Sequence, residues 1–440
     1  MHKIFKIFLY FKIPRNLKIV FITIAVSEFA VGIVKPVLPF LIFAANSTLL
    51  PENLSHVERA VYYATWVSLF KVGSTLTNPV FGILSDIVGR KIVLVISVLG
   101  MVILGVTCVI GIITQGIWLF IIGSFLFGFL WSERTVCTAS INDMTASSDK
   151  IHNLSKMQFF IGLGICLGPI AGGYVGEYSF LNIPYLLPYV VLLIISIGLT
   201  FYVTLLFKET YEKCTKNKKV LYNTINKYKK IKWIFKDKKI YILLGIYMLS
   251  QLSWGAYHEY IPVVVKIVFA YDVKHVGILM GMMGISLIIA SGVLLPVLNK
   301  YFTSLTLIKF SCFISAIGII LCYIFSFFPG MLLSDIVIWI SVFPVVAGDV
   351  IIFIVLLGLF SEAAGEDCQG TIVGFLYIVG ALMWVISAAL GSVLMIWHVN
   401  ASLLICPIAM VLLLLLVYSF TKKLKILFFH IRPANENEED

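Results

Sequence analysis

The sequence predicts an all-α integral membrane protein with twelve transmembrane helices in two six-helix bundles. Three observations carry this expectation. Hydrophobic residues make up 60% of the chain and charged residues only 12%. The apolar residues gather in long blocks instead of periodic stripes, and one basic segment divides those blocks six and six. A soluble domain carries about twice that charged fraction. Runs of roughly 18 or more apolar residues are long enough to span a bilayer, and a helix satisfies its own backbone there.

The blocks lie at 19–44, 60–84, 91–114, 117–141, 157–175, 184–207, 240–265, 276–297, 306–328, 333–360, 371–396 and 402–420. The third and fourth are divided only by Gln115–Gly116. The expected organisation is a basic N-terminal tail (1–18), a first bundle (19–207), a basic linker (208–239), a second bundle (240–420) and a C-terminal tail (421–440). The first apolar run has no small-residue cleavage site after it, so it reads as a span and not a removed signal peptide.

Positive charge orients the spans. Lys3, Lys6, Lys12, Arg15 and Lys18 precede the first block, twelve lysines fill 208–239, and Lys422, Lys423, Lys425 and Arg432 follow the last block. The other side shows little beyond Arg59, Lys266 and Lys274. Both termini are therefore expected in the cytoplasm, in the plasma membrane or an organelle membrane. The sequons at Asn46, Asn53 and Asn400 then face outward and are open to glycosylation, whereas Asn153 faces inward. Cys108, Cys137, Cys166, Cys312, Cys322 and Cys406 fall inside spans and Cys214 and Cys368 on the cytoplasmic side, so no outward disulfide is expected. The linker lysines alternate with Tyr211, Tyr222, Tyr228, Trp233 and Phe235. They suit anionic headgroups, at about 1 kcal/mol per lysine, with regulation a second reading and no nucleic-acid partner expected.

One motif is specific. Between the second and third blocks stands Gly82-Ile83-Leu84-Ser85-Asp86-Ile87-Val88-Gly89-Arg90-Lys91. Its glycines allow a tight reversal, and its charges meet at a junction between helices. All ten positions resemble the signature loop of the major facilitator superfamily. The resemblance implies that Asp86 faces the N-terminus of the eleventh span near Thr371, where a helix end carries about half a positive charge and an acid acts as a latch between the bundles. The alternative is a simple turn cap. The matching loop of the second half, Asn299-Lys300-Tyr301-Phe302-Thr303, has lost the pattern.

In the fifth block, Gly164-Ile165-Cys166-Leu167-Gly168-Pro169-Ile170-Ala171-Gly172-Gly173 sets glycines four apart for close packing, with Pro169 as a kink. Its ending is similar to the motif of the drug:proton antiporters, the multidrug and tetracycline-resistance-like branch of the superfamily. Ser155 stands where the fuller motif begins with glycine. The segments 183–188 and 256–262 resemble the same branch. One departure counts against it: Ser124 stands where the family usually has an arginine associated with proton transfer, unless Arg134 or another base substitutes.

Ionisable groups inside spans are functional candidates by default. Glu28 lies near mid-bilayer, and Lys35 is seven residues later on the same helical face, an axial gap of about 10 Å that excludes a direct pair. Glu28 and Lys71 read as cavity-lining or as members of buried pairs; Lys35, nearer the outer surface, is able to snorkel. Glu133 and Arg134 are adjacent, hence on different faces, with structural and transport roles both open. His258 and Glu259 read as carriers of proton or substrate, or as an interfacial pair. Asp349 has no partner in its own helix, and a carboxyl in a low-dielectric setting holds its proton readily, as a proton-coupled carrier requires. Trp131, Trp254, Tyr257 and Trp384 would suit a planar solute, or simply face lipid. Lys35, Lys71 and Arg134 favour an anionic one, offset by Glu28 and Glu133.

The expected function is secondary active transport of a small organic solute by alternating access, as proton-coupled antiport and efflux by a monomer. A facilitator or proton symporter of an organic solute, anions included, is the alternative in the same fold, and a non-transporting receptor or scaffold the alternative in another class. No enzyme, cofactor or metal site is expected, because no phosphate loop, ligand spacing or nucleophile–base pair is present in the sequence.

Overall fold

A computed structural model describes the backbone of residues 14–44, 47, 49–145, 150–210, 238–364 and 369–421. The linker reading for 211–237, the tails over 1–13 and 422–440, Asn46, Cys214 and Cys368 lie outside the described residues. Apart from one isolated bridge, Phe180 to Ile183, the regular structure among the described residues is helical.

The spans follow the expected blocks. The first is Arg15–Val34, a turn at Lys35 to Val37 beside Pro36, then Leu38–Phe43. The others are His56–Val88, Arg90–Ile113, Ile117–Met144, Lys150–Gly176, Leu187–Leu206, Lys238–Ile267, Val273–Tyr301, Ser304–Phe325, Leu332–Ala364, Gln369–Met395 and Val399–Ser419. Eleven of these are apolar enough to cross a membrane on composition alone. The second span, His56–Val88, has 33 residues and carries Glu58, Arg59, Lys71 and Asp86. At about 1.5 Å per residue it is long enough to cross a bilayer with room to spare. The chain is an integral, multi-pass membrane protein.

The first six spans pack on one another and the last six do likewise, and the two bundles meet along spans five and eight and along spans two and eleven. Small residues set the closest approaches. A Cβ on Gly172 would lie 2.0 Å from the Ile33 carbonyl oxygen, and one on Gly168 2.5 Å from that of Phe29, so spans one and five touch backbone to backbone. On the other flank of span five, a Cβ on Gly277 would meet the Pro169 carbonyl at 2.4 Å, and one on Gly284 the Cys166 backbone at 2.5 Å. With few water-driven forces between helices in lipid, such proximity is what holds them. Where this seam ends, with Gly162 against Ile288, span eight adopts a π turn over Ala290–Leu294.

The third and fourth spans are divided where expected, by Gln115 at φ 56° followed by Gly116. Two expectations need correction. The continuous block over 117–141 is two helices, Ile117–Leu130 and Glu133–Met144, broken at Trp131 and Ser132. Spans two and four are pressed together at Gly128, whose Cβ would lie 2.1 Å from the Phe70 carbonyl. Trp131 stacks near Phe70, and Ser132 Oγ pairs with Ser97 Oγ at 2.7 Å. The Asn400 sequon is also not open: its side chain is 1% exposed and its amide donates to the Ser326 carbonyl at 2.7 Å. Asn53 is exposed.

Replacing Gly284 by valine should cost about 1–3 kcal/mol through overpacking against backbone that cannot retreat. Gly198, with no atom within 4 Å of its would-be Cβ, should accept alanine without loss. Thermal unfolding of the two variants in detergent checks the contrast.

Candidate functional site

The 82–91 turn is built around Arg90. Gly89 has φ +103°, a conformation side chains rarely adopt, and a Cβ there would strike Glu209. The Glu209 carboxylate accepts from the Arg90 and Lys91 backbone N–H groups at 2.9 and 3.1 Å, an anion at the N-terminus of span three. The Arg90 side chain reaches Asp86 at 2.5 Å, Ser85 Oγ at 2.5 Å and Asp143 at 2.9 Å. Asp86 was expected opposite Thr371, whose side chain lies outside the described residues; the partner the structure gives it is Arg90.

A second charge group lies deeper, between the bundles. The break in span four turns Glu133 and Arg134 toward span one. Arg134 donates from Nε to Glu28 Oε1 at 2.5 Å and pairs with it again through Nη2. The Glu133 carboxylate accepts from Ser27 Oγ, the residue next to Glu28. Glu28 owes its position to Gly164, where a Cβ would lie 2.5 Å from the Glu28 Cβ. Ser124 is buried, and its nearest polar partner is the Trp66 carbonyl at 3.5 Å. Arg134 and Tyr377, on opposite bundles, lie within electrostatic reach of each other and are 43% and 47% exposed.

Above this pair stands an aromatic group. The Lys71 ammonium lies 3.8 Å from the centre of a Trp384 ring and 5.3 Å from that of Phe70. Trp384 Nε1 donates to Gln251 Oε1 at 3.3 Å. The His258 ring is 5.2 Å from Trp384 and 5.6 Å from Trp254, and its Nδ1 is 3.3 Å from Glu259 Oε1. Lys35, in the turn of span one, is within electrostatic reach of Glu28 and Glu259. The Tyr63 hydroxyl donates to the Glu259 carbonyl at 2.7 Å, and Lys266 lies over Phe40 at 5.0 Å, so the bundles touch on the side away from the 82–91 turn.

Seven candidate residues thus share one region: Glu28, Lys35, Lys71, Glu133, Arg134, His258 and Glu259. Asp349 stands apart, 4% exposed in the second bundle, electrostatically closest to Tyr247 and Cys312 and with no partner for Oδ1. Tyr257 is core, 1% exposed. Gln251, Tyr63 and Tyr377 went unread in the sequence. Gln251 was the most legible of these, as an amide inside an apolar span; the tyrosines carry no such signal. Arg59, taken as a lone outer charge, is 3% exposed and donates to the carbonyls of Ile42, Ala44, Pro51 and Leu54, clasping the loop between spans one and two.

A family model described as Major Facilitator Superfamily matches residues 20–388. The tetracycline resistance protein, class H, of Pasteurella multocida is 23% identical over 321 residues, 70% of this chain and 72% of that protein. The class D protein of Salmonella ordonez is 26% identical, covering 79% and 81%. Among solved structures, a D-xylose-proton symporter aligns with a TM-score of 0.71 at 16% identity, covering 92% of this chain and 98% of its own. The human organic anion transporter MFSD10 aligns at 0.61 with 15% identity, covering 92% and 100%. At such identities the structural likeness concerns the fold alone.

Arg90→Ala should strand Asp86 and Asp143 and destabilise the protein by about 1–3 kcal/mol. Arg90→Lys should recover less than half of that, since an ammonium lacks the fork that reaches several oxygens. Thermal unfolding in detergent measures both.

Proposed function

Because the chain belongs to the major facilitator superfamily, we propose that it exports a small organic solute in exchange for protons, exposing the site between its bundles to alternate sides of the membrane. The observation that carries this reading is the Glu28–Arg134 pair, one partner 5% exposed and the other 43%. A proton on Glu28 removes the counter-charge of Arg134 and frees the guanidinium; loss of that proton restores the pair. Solute and proton are then coupled through one arginine, because a solute that bears on the guanidinium and a proton on Glu28 each change the other's affinity. Arg134 takes the part left vacant at Ser124, nearer the 82–91 turn. The relatives are named for resistance to tetracycline, which favours outward movement of a drug-like solute.

We place both termini and the 82–91 turn on the cytoplasmic side, from the basic residues that flank them. In that orientation the contacts of Tyr63 with Glu259 and of Lys266 with Phe40 bring the bundles together on the outer side. The protein acts as a monomer, with Asp86 and Arg90 securing the cytoplasmic ends of spans two to four. Symport in the same fold is the second reading, favoured by the missing arginine at Ser124.

Reconstituted vesicles with an imposed pH gradient test the proposal. Solute movement should follow the proton gradient and collapse with an uncoupler; efflux that persists unchanged would remove antiport. Glu28→Gln, which fixes the neutral form, should reduce gradient-driven flux by roughly tenfold or more. Asp349→Asn, remote from the pair and close in shape to a protonated carboxyl, should stay within about threefold of the parent.

A further inference from the structure

The charges of this region are sorted by depth. The carboxylates are withdrawn: Glu28 is 5% exposed and held by Arg134, and Glu133 is 1% exposed and held by Ser27. The third, Glu259, has a side chain 15% exposed beside His258. The cations stand forward. Arg134 is 43% exposed, and Lys35 and Lys71 are half-buried with no carboxylate at ion-pair distance among the described residues. Two of the three carboxylates are therefore deeper than the cations, while Glu259 shares the half-buried layer of Lys35 and Lys71 and is engaged by His258.

The aromatic surroundings sharpen this. Lys71 rests on Trp384 at 3.8 Å, and Trp384 is fixed by Gln251 and flanked by His258, which in turn meets Trp254. Cation–ring contact eases the desolvation of an ammonium but does not neutralise it. An ammonium deep between helices, unpaired yet reachable, is a recognition element for an anion. Indoles around it recognise a flat apolar body through stacking and area.

Resting on the transport reading above, we infer that the solute is an aromatic organic anion, its negative group directed to Lys71 and its ring against Trp384 and Trp254. A cationic aromatic would set like charge against Lys35, Lys71 and Arg134, which such sites reject. The carboxylates offset this little, because Glu28 and Glu133 are withdrawn and Glu259 is engaged by His258.

Equilibrium binding tests the inference without a pH gradient. The full chain in nanodiscs is titrated calorimetrically with three probes sharing one ring system: 1-naphthylacetate, 1-naphthylacetamide and 2-(1-naphthyl)ethylamine, with empty nanodiscs subtracted. The acetate should bind at least about tenfold more tightly than the amide or the amine. Lys71→Met should bring the acetate-to-amide ratio to about one, and Lys71→Arg should retain it. Trp384→Ala should weaken acetate and amide alike, with Trp384→Phe recovering most of the loss. Amide or amine binding as tight as acetate, no binding by any probe, or an unchanged ratio in Lys71→Met would each overturn it. Because binding is read apart from flux, loss of transport with charge preference intact would count only against the exporter, and the converse only against the anion.

Discussion

Span five is the part on which the rest of the structure depends, because it touches a neighbour backbone to backbone on both flanks. Gly164, Gly168 and Gly172 admit span one, and Pro169, Cys166 and Gly173 receive the glycines of span eight. Helices in lipid gain little from burying one apolar face against another, so contact of this closeness has to come from missing side chains. The same stretch therefore does two jobs. It builds the first bundle, and it supplies the surface on which the second bundle rests.

That packing also places the chemistry. Gly164 lies directly under Glu28, and any larger residue there would push the carboxylate away from Arg134. A packing motif and a charged pair that look unrelated along the chain are one unit in space. The break in span four completes it, since a continuous helix would carry Glu133 and Arg134 past span one at a different angle. The close approach at Gly128, near the start of that break, comes from the same device: small residues between spans two and four.

Much of the architecture was legible in the sequence. Hydrophobic blocks located the spans because lipid leaves the backbone no alternative to a helix, and the 82–91 turn announced itself through a glycine that requires positive φ. Span two was legible as the apolar block over 60–84, although Lys71 and several polar residues lower its hydropathy. The individual ionisable residues could be picked out, because each is costly in a membrane and so stands out against its neighbours. Their partners could not. Pairing between Glu28 and Arg134, or between Lys71 and Trp384, joins residues more than a hundred positions apart. Depth was equally invisible: Arg59, placed on the outer side, is a buried clasp, and Asn400, in a sequon open to glycosylation, is a buried donor.

The π turn at Ala290–Leu294 has a mechanical consequence. A turn with one residue too many is the softest point of a helix and the usual place for it to bend. Here it falls just past Ile288, where the zipper with span five runs out. Span eight is therefore a rod clamped from Gly277 to Ile288 and jointed at the clamp's edge. A bend at that joint would move Leu295–Tyr301 relative to the clamped portion.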